Sequence, residues 1–221
     1  MKLLRLFLFC LGGIGLISQN VGAVENKLTQ EWKDLFNRKQ INLIEYSMDG
    51  INENQLDKIL FEIDPEKNNK EKLLANIYFI SPVMEIKKEK NKLNCFFINN
   101  NNSHYVNYLN EIFNDNLLDN FLAKQWIKIH EYFHCLQAQR KNNFNYRQLE
   151  LEADIAAFLL VANQDNWKNL IKALSEFRKI TYKRYLLNYY FINKKELFLK
   201  NNRTIEETFQ EVEKIIGLLD V

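Results

Sequence analysis

Apolar residues recur at three-and-four spacing along most of the chain, and strand-like patterning is confined to one region. Over residues 25–40, Leu28, Trp32, Leu35 and Phe36 share one helical face, and residues 54–63 read as a second short helix. Residues 76–86 (NIYFISPVMEI) and 92–100 (KLNCFFINN) are rich in β-branched and aromatic side chains and bounded by polar turns, which predicts two strands. Helical spacing returns over residues 116–140, 148–164, 166–179, 181–191 and 204–219. The last of these opens on Thr204 as a cap, with Glu206 and Glu207 in its first turn. The pattern predicts an α+β fold, mostly α-helical, with a small antiparallel or mixed sheet before the longest helix and a helical C-terminal part.

The first 23 residues stand apart. Residues 1–5 (MKLLR) are cationic, residues 6–17 are apolar, and Val21 and Ala23 are small, the three parts of a secretory signal peptide cleaved after Ala23. Its apolar core falls short of the ~20 residues a spanning helix needs, and no other segment is longer, so no stable membrane span is expected once the signal is removed. Residues 24–221 contain no repeat and no Pro/Ser/Gly linker, which predicts a single exported domain, secreted or periplasmic. Export places Cys95 and Cys135 where disulfides form. They can bridge or remain two buried thiols, since sequence does not report a Cα separation.

Charge and glycine content narrow the function. Lys2 and Arg5 are the charges of the first 23 residues, which leaves 28 basic and 28 acidic residues in the rest of the chain. That balance offers no general basic excess for gripping phosphate backbones, so no nucleic-acid partner is expected. Of six glycines, only Gly50 and Gly217 lie beyond the N-terminal segment, too few for a Gly-rich phosphate loop.

The longest helical stretch contains His130-Glu131-Tyr132-Phe133-His134. Residues four apart lie one turn apart on one face, so both imidazoles can converge on a single ion, with Glu131 beside them to serve a water. With three histidines in the chain, this pattern arises by chance in on the order of a few sequences per thousand. The seam Leu122, Trp126, Ile129, Phe133, Leu136 faces the core, and the two histidines fall about 100° to one side of it, at a cleft edge.

A catalytic zinc takes three protein ligands and keeps a fourth position open, so two histidines are not enough. Glu150-Leu151-Glu152-Ala153-Asp154 follows a short polar loop at 141–147. Glu150 and Asp154 share a face, with Ala153 and Ala157 as small neighbours that let two helices approach. Glu150 is therefore expected as the third ligand, and Asp154 as the acceptor for the free ring nitrogen of a ligand histidine. Glu152 points about 200° away from Glu150 and is the weaker ligand candidate.

HEYFH at 130–134 and ELEAD at 150–154 resemble the motifs of the gluzincin zinc metallopeptidases, the thermolysin-like group with H-E-x-x-H on one helix and E-x-x-x-D on the next. The E-x-E-A-D form is also similar to that of the CAAX prenyl protease type, although no counterpart of that type's additional membrane helices is found. The similarity covers residues 117–165. It implies a zincin arrangement in which an edge strand before the active-site helix binds extended peptide, and residues 92–100 are the candidate strand.

The expected activity is hydrolysis of peptide bonds in a peptide or protein substrate, with one Zn2+ held by His130, His134 and Glu150 and with Glu131 as general base. An oxyanion donor is also needed, and Tyr182, Arg184, Tyr185, Tyr189, Tyr190 and His104 are candidates of equal standing. Two rival readings are a zinc-binding but inactive relative that uses the cleft to bind a protein, and a helical interaction module with a chance motif. Oligomeric state is not legible in the sequence.

Overall fold

Strand β3 (Lys92–Asn99) is buried along both of its faces, and its sequence explains why. Cys95 and Phe97 alternate with Phe96 and Ile98, so each face of the strand presents apolar groups and each finds a helical layer. β3 pairs in parallel with β1 (Ile41–Ser47), from Ile41 opposite Leu93 to Ser47 opposite Asn99. It pairs antiparallel with β2 (Val83–Glu89), from Val83 opposite Ile98 to Glu89 opposite Lys92. The result is a three-stranded mixed sheet in the order β1-β3-β2. The expectation that residues 92–100 supply an edge strand is corrected: β3 is central, its backbone groups are engaged on both sides, and β1 and β2 are the edges.

The computed structural model describes residues 30–65, 70–79, 83–89, 92–140, 146–178 and 203–218. The expected signal segment and the expected helix at 181–191 lie outside the described residues. The chain divides into two compact units, Met1–Lys39 and Gln40–Val221. The first contributes helix α1 (residues 30–38), in which the rings of Trp32 and Phe36 lie 5.2 Å apart. All elements below belong to the second.

On one side of the sheet, Phe96 and Ile98 join Ile59, Leu60 and Ile63 of α2 (Glu53–Ile63) and Leu73 and Ile77 of α3 (Lys70–Phe79) in one apolar cluster. Helix α2 starts at a capping box, in which the Asn52 side chain accepts from Gln55 N and the Gln55 side chain accepts from Asn52 N. Residues 76–79, expected to begin a strand, are instead the end of α3. Leu73 and Ile77, four apart, are both buried, so helical burial against the sheet overrides the local β preference. The strand begins at Val83, just after Pro82 in the sequence.

Helix α4 (His104–Asp115) is an element the periodicity does not predict. Ser103 caps it by accepting from Val106 N, and Val106, Leu109, Ile112 and Phe113 are its buried face. The helix expected over 116–140 therefore starts later, as α5 (Asn120–Gln137), where Asp119 accepts from Leu122 N at 2.7 Å. Helix α5 covers the other face of the sheet. Cys135 forms a disulfide with Cys95 of β3, with Cα atoms 6.1 Å apart. Tyr132 meets Phe97 edge-on at 5.4 Å and donates to Glu45 of β1, whose carboxylate also receives Lys128 at 2.9 Å.

Helix α6 (Tyr146–Val161) packs along α5, α8 (Ile205–Leu218) packs on α6, and α7 (Trp167–Phe177) lies against α4. Residues 151–159 of α6 are all buried, so this helix is enclosed rather than amphipathic. Two of those nine are acids, Glu152 and Asp154, and buried carboxylates need partners. No helix among the described residues is long and apolar enough to cross a membrane.

Candidate metal centre

The seam of α5 sets the height of each histidine. Trp126, Ile129, Phe133 and Leu136 are buried in the core, and His130, next to Trp126 with ring centres 5.2 Å apart, is almost as deep. His134, one turn on, is partly open, with 18% of its side chain exposed. His130 is thus the deeper of the two, with His134 nearer the surface.

Helix α6 brings Glu150 to the same point. His130 Nε2 and His134 Nε2 are 3.1 Å apart, His134 Nε2 lies 3.2 Å from Glu150 Oε1, and His130 Nε2 lies 3.5 Å from Glu150 Oε2. An ion bonded at 2.0–2.1 Å in tetrahedral geometry separates its ligand atoms by about 3.3–3.4 Å. The contacts between the two histidines and the two oxygens of Glu150 are of that order, and one ligand atom from each of the three side chains lies within 4.8 Å of the others. Among the described residues they form a cluster able to hold a metal ion.

The surroundings hold this arrangement under charge. Asp154, one turn after Glu150, lies 2.9 Å from His130 Nδ1. Arg178, just after α7, donates to both Asp154 oxygens, at 2.8 and 2.6 Å, and approaches Glu150 Oε2 at 3.6 Å. Burial works against the Asp154 carboxylate, but the Arg178 guanidinium and His130 hold its pKa below the usual range. Burial likewise opposes charge on Glu150, and the adjacent His130 and His134 imidazoles outweigh it, so that carboxyl too is held well below the ordinary value. Burial would lower the His130 pKa, yet its bonds to Asp154 and Glu150 raise it to about 9. Without a cation in the cluster, a proton on His130 takes its place.

Burial pushes the Glu131 carboxyl pKa up, with the charges of His130 and His134 pulling the other way. Tyr105 of α4 belongs to the same neighbourhood. Its ring meets Phe177 at 5.1 Å, and its hydroxyl pKa is raised by burial, opposed by Arg178 and reinforced by Asp154, Glu131 and Glu150.

All of the expected ligands meet at one point, and Asp154 stands behind His130. Glu152 does not enter the cluster; its carboxylate faces away and receives Arg140 Nη1 at 2.6 Å and Gln137 Nε2 at 3.1 Å. The oxyanion candidates Tyr182, Arg184, Tyr185, Tyr189 and Tyr190 lie outside the described residues, and His104 is an exposed residue at the start of α4. Three residues of the site, Arg178, Tyr105 and Gln137, escape sequence reasoning. Gln137 lies three residues after His134 on the same helix, and that spacing is the one sequence signal available for any of them.

Comparison with known protein families, with curated proteins and with solved structures gave no significant match.

Proposed function

We propose that this protein is an exported zinc-dependent peptidase of zincin-like architecture. The observation that supports it most directly is the set of 3.1, 3.2 and 3.5 Å separations among the His130, His134 and Glu150 donor atoms, with Glu131 close enough for their charges to act on its carboxyl. Two imidazoles, one carboxylate and a neighbouring base match the donor set of hydrolytic zinc sites, and none of these groups points to redox work.

His130, His134 and Glu150 would hold the ion, and the Asp154 carboxylate, 2.9 Å from His130 Nδ1, would favour the tautomer whose Nε2 lone pair faces the cluster. Bound zinc supplies Lewis acidity for a carbonyl and makes a neighbouring water acidic enough to ionise near neutral pH. Glu131 accepts the proton of the attacking water and returns it to the departing amide nitrogen. Arg178 keeps Asp154 ionised, which keeps His130 in its orientation.

A peptide library incubated with wild type and with Glu131→Gln tests the reading. Cleavage by wild type alone supports a peptidase. Silence from both proteins, with zinc bound to each, supports instead the inactive relative that uses the cleft to bind a protein. Absence of zinc from the wild type removes both.

A further inference from the structure

His134 Nδ1 lies 2.7 Å from Gln137 Oε1. An amide oxygen can only accept, so this contact needs the proton on Nδ1. The orientation of the amide is in turn set at its far end, where Gln137 Nε2 donates to Leu149 O at 2.8 Å and to Glu152 Oε2 at 3.1 Å. Both of those partners are acceptors. Turning the amide over would set its oxygen against two oxygens and its N–H against the ring N–H.

Glu152 is itself immobilised. It is 2% exposed and receives Arg140 Nη1 at 2.6 Å and Gln148 Nε2 at 3.4 Å. A hydrogen-bonded chain thus links Arg140 to Glu152, which accepts from both Arg140 and Gln137, and Gln137 to His134, whose Nδ1–H donates to the amide oxygen. Its last link leaves Nε2 of His134 as a bare lone pair aimed at His130 Nε2 and Glu150 Oε1. Two nitrogen lone pairs facing each other beside a carboxylate repel unless a cation or proton stands between them.

We propose that Gln137 is a positioning residue of the metal centre: its amide locks His134 as the Nδ1–H tautomer and turns the Nε2 lone pair toward the ion. This rests on the metal-centre reading and adds a residue outside both ligand motifs. Asp154 orients His130 with a charged group, whereas Gln137 orients His134 with a neutral one and so leaves the charge of the centre unaltered.

The chain has three histidines, so long-range 1H–15N NMR of the metal-free protein resolves each ring, with His134 identified by its loss in His134→Ala. The expected result is a proton on Nδ1 of His134 in the wild type; a ring without that proton overturns the proposal. Cobalt(II) titration followed by optical absorption supplies the second readout. Gln137→Met, similar in length but with only a weakly accepting sulfur in place of the amide, is expected to bind cobalt about 10- to 100-fold more weakly with its circular dichroism unchanged. Equal affinity and an identical cobalt spectrum overturn the proposal. If the Met variant fails to fold, the wild-type tautomer still decides. A wild type that takes up neither cobalt nor zinc overturns the metal centre and the positioning role together, whereas metal uptake with the Nε2–H tautomer in the metal-free protein overturns the role of Gln137 alone.

Discussion

Arg178 grips both oxygens of Asp154, through Nε at 2.8 Å and Nη2 at 2.6 Å. Both side chains are almost fully buried, and the guanidinium lies 5.8 Å from the Trp126 ring centre and 5.1 Å from that of Phe177. Removing one member of a buried pair strands the other, which costs about 3–5 kcal/mol. Because His130 remains as a second partner for Asp154, Arg178→Met is expected at the lower end of that range. Urea unfolding of wild type and variant measures it, and a loss below about 1 kcal/mol would contradict the buried pairing.

Metal and catalysis separate by substitution. His134→Ala should abolish stoichiometric zinc in metal analysis of the purified protein. Glu131→Gln should keep the zinc and lose peptide cleavage by about 10²- to 10⁴-fold, because it removes the proton carrier and leaves all three ligands. Loss of zinc in Glu131→Gln would instead make Glu131 a ligand.

The pH response of the metal-free protein has a defined sign. The folded-state pKa of His130, about 9, lies above its ordinary value of 6.5. Its charged form therefore contributes stability in full below pH 6.5, and that contribution is lost as pH rises through about 9. With chelator present, the melting temperature should fall between about pH 6.5 and 9.5, and His130→Gln should flatten the decline. With zinc present the trend should reverse, since proton and ion compete for the same nitrogen. A chelated wild type that grows more stable across this window would contradict the assignment.

The Cys95–Cys135 bridge closes a sequence separation of 40 residues and joins β3 to the residue after His134. Chain entropy alone gives such a loop about 4 kcal/mol, and measured values commonly run about 2–4. The double variant Cys95→Ala/Cys135→Ala should lose stability in this range by urea unfolding. A loss near zero would show that sheet and helix remain docked without the bridge.

Much of the site was legible because it is local. His130 and His134 share a face because they lie one helical turn apart, and Glu150 and Asp154 share a face of the next helix for the same reason, so spacing put each pair together on its own helix. Arg178 was not legible, because it meets Asp154 from 24 residues away, across a helix boundary that periodicity does not orient. Gln137 depends on the carbonyl of Leu149, a group every residue possesses. In the fold, the mostly helical character and the small sheet were readable from the pattern. The centrality of β3 was not, because Cys95-Phe96-Phe97-Ile98 shows that both faces are covered without showing which strands flank it. Helix α4 carried its signals, Ser103 followed by Val106, Leu109, Ile112 and Phe113, beneath an asparagine-rich stretch that reads as loop.

The three donors span 21 consecutive residues, His130 to Glu150, on helices that are neighbours in sequence, whereas β1 reaches β3 across 52 residues at Ile41 and Leu93. Loop closure for the ion cradle is therefore the smaller entropic demand, and the helical hairpin can form before the sheet is complete. An ion captured at that stage would act as a nucleating clasp, so the same atoms that could hold an ion in the finished protein would guide the newly made chain toward it.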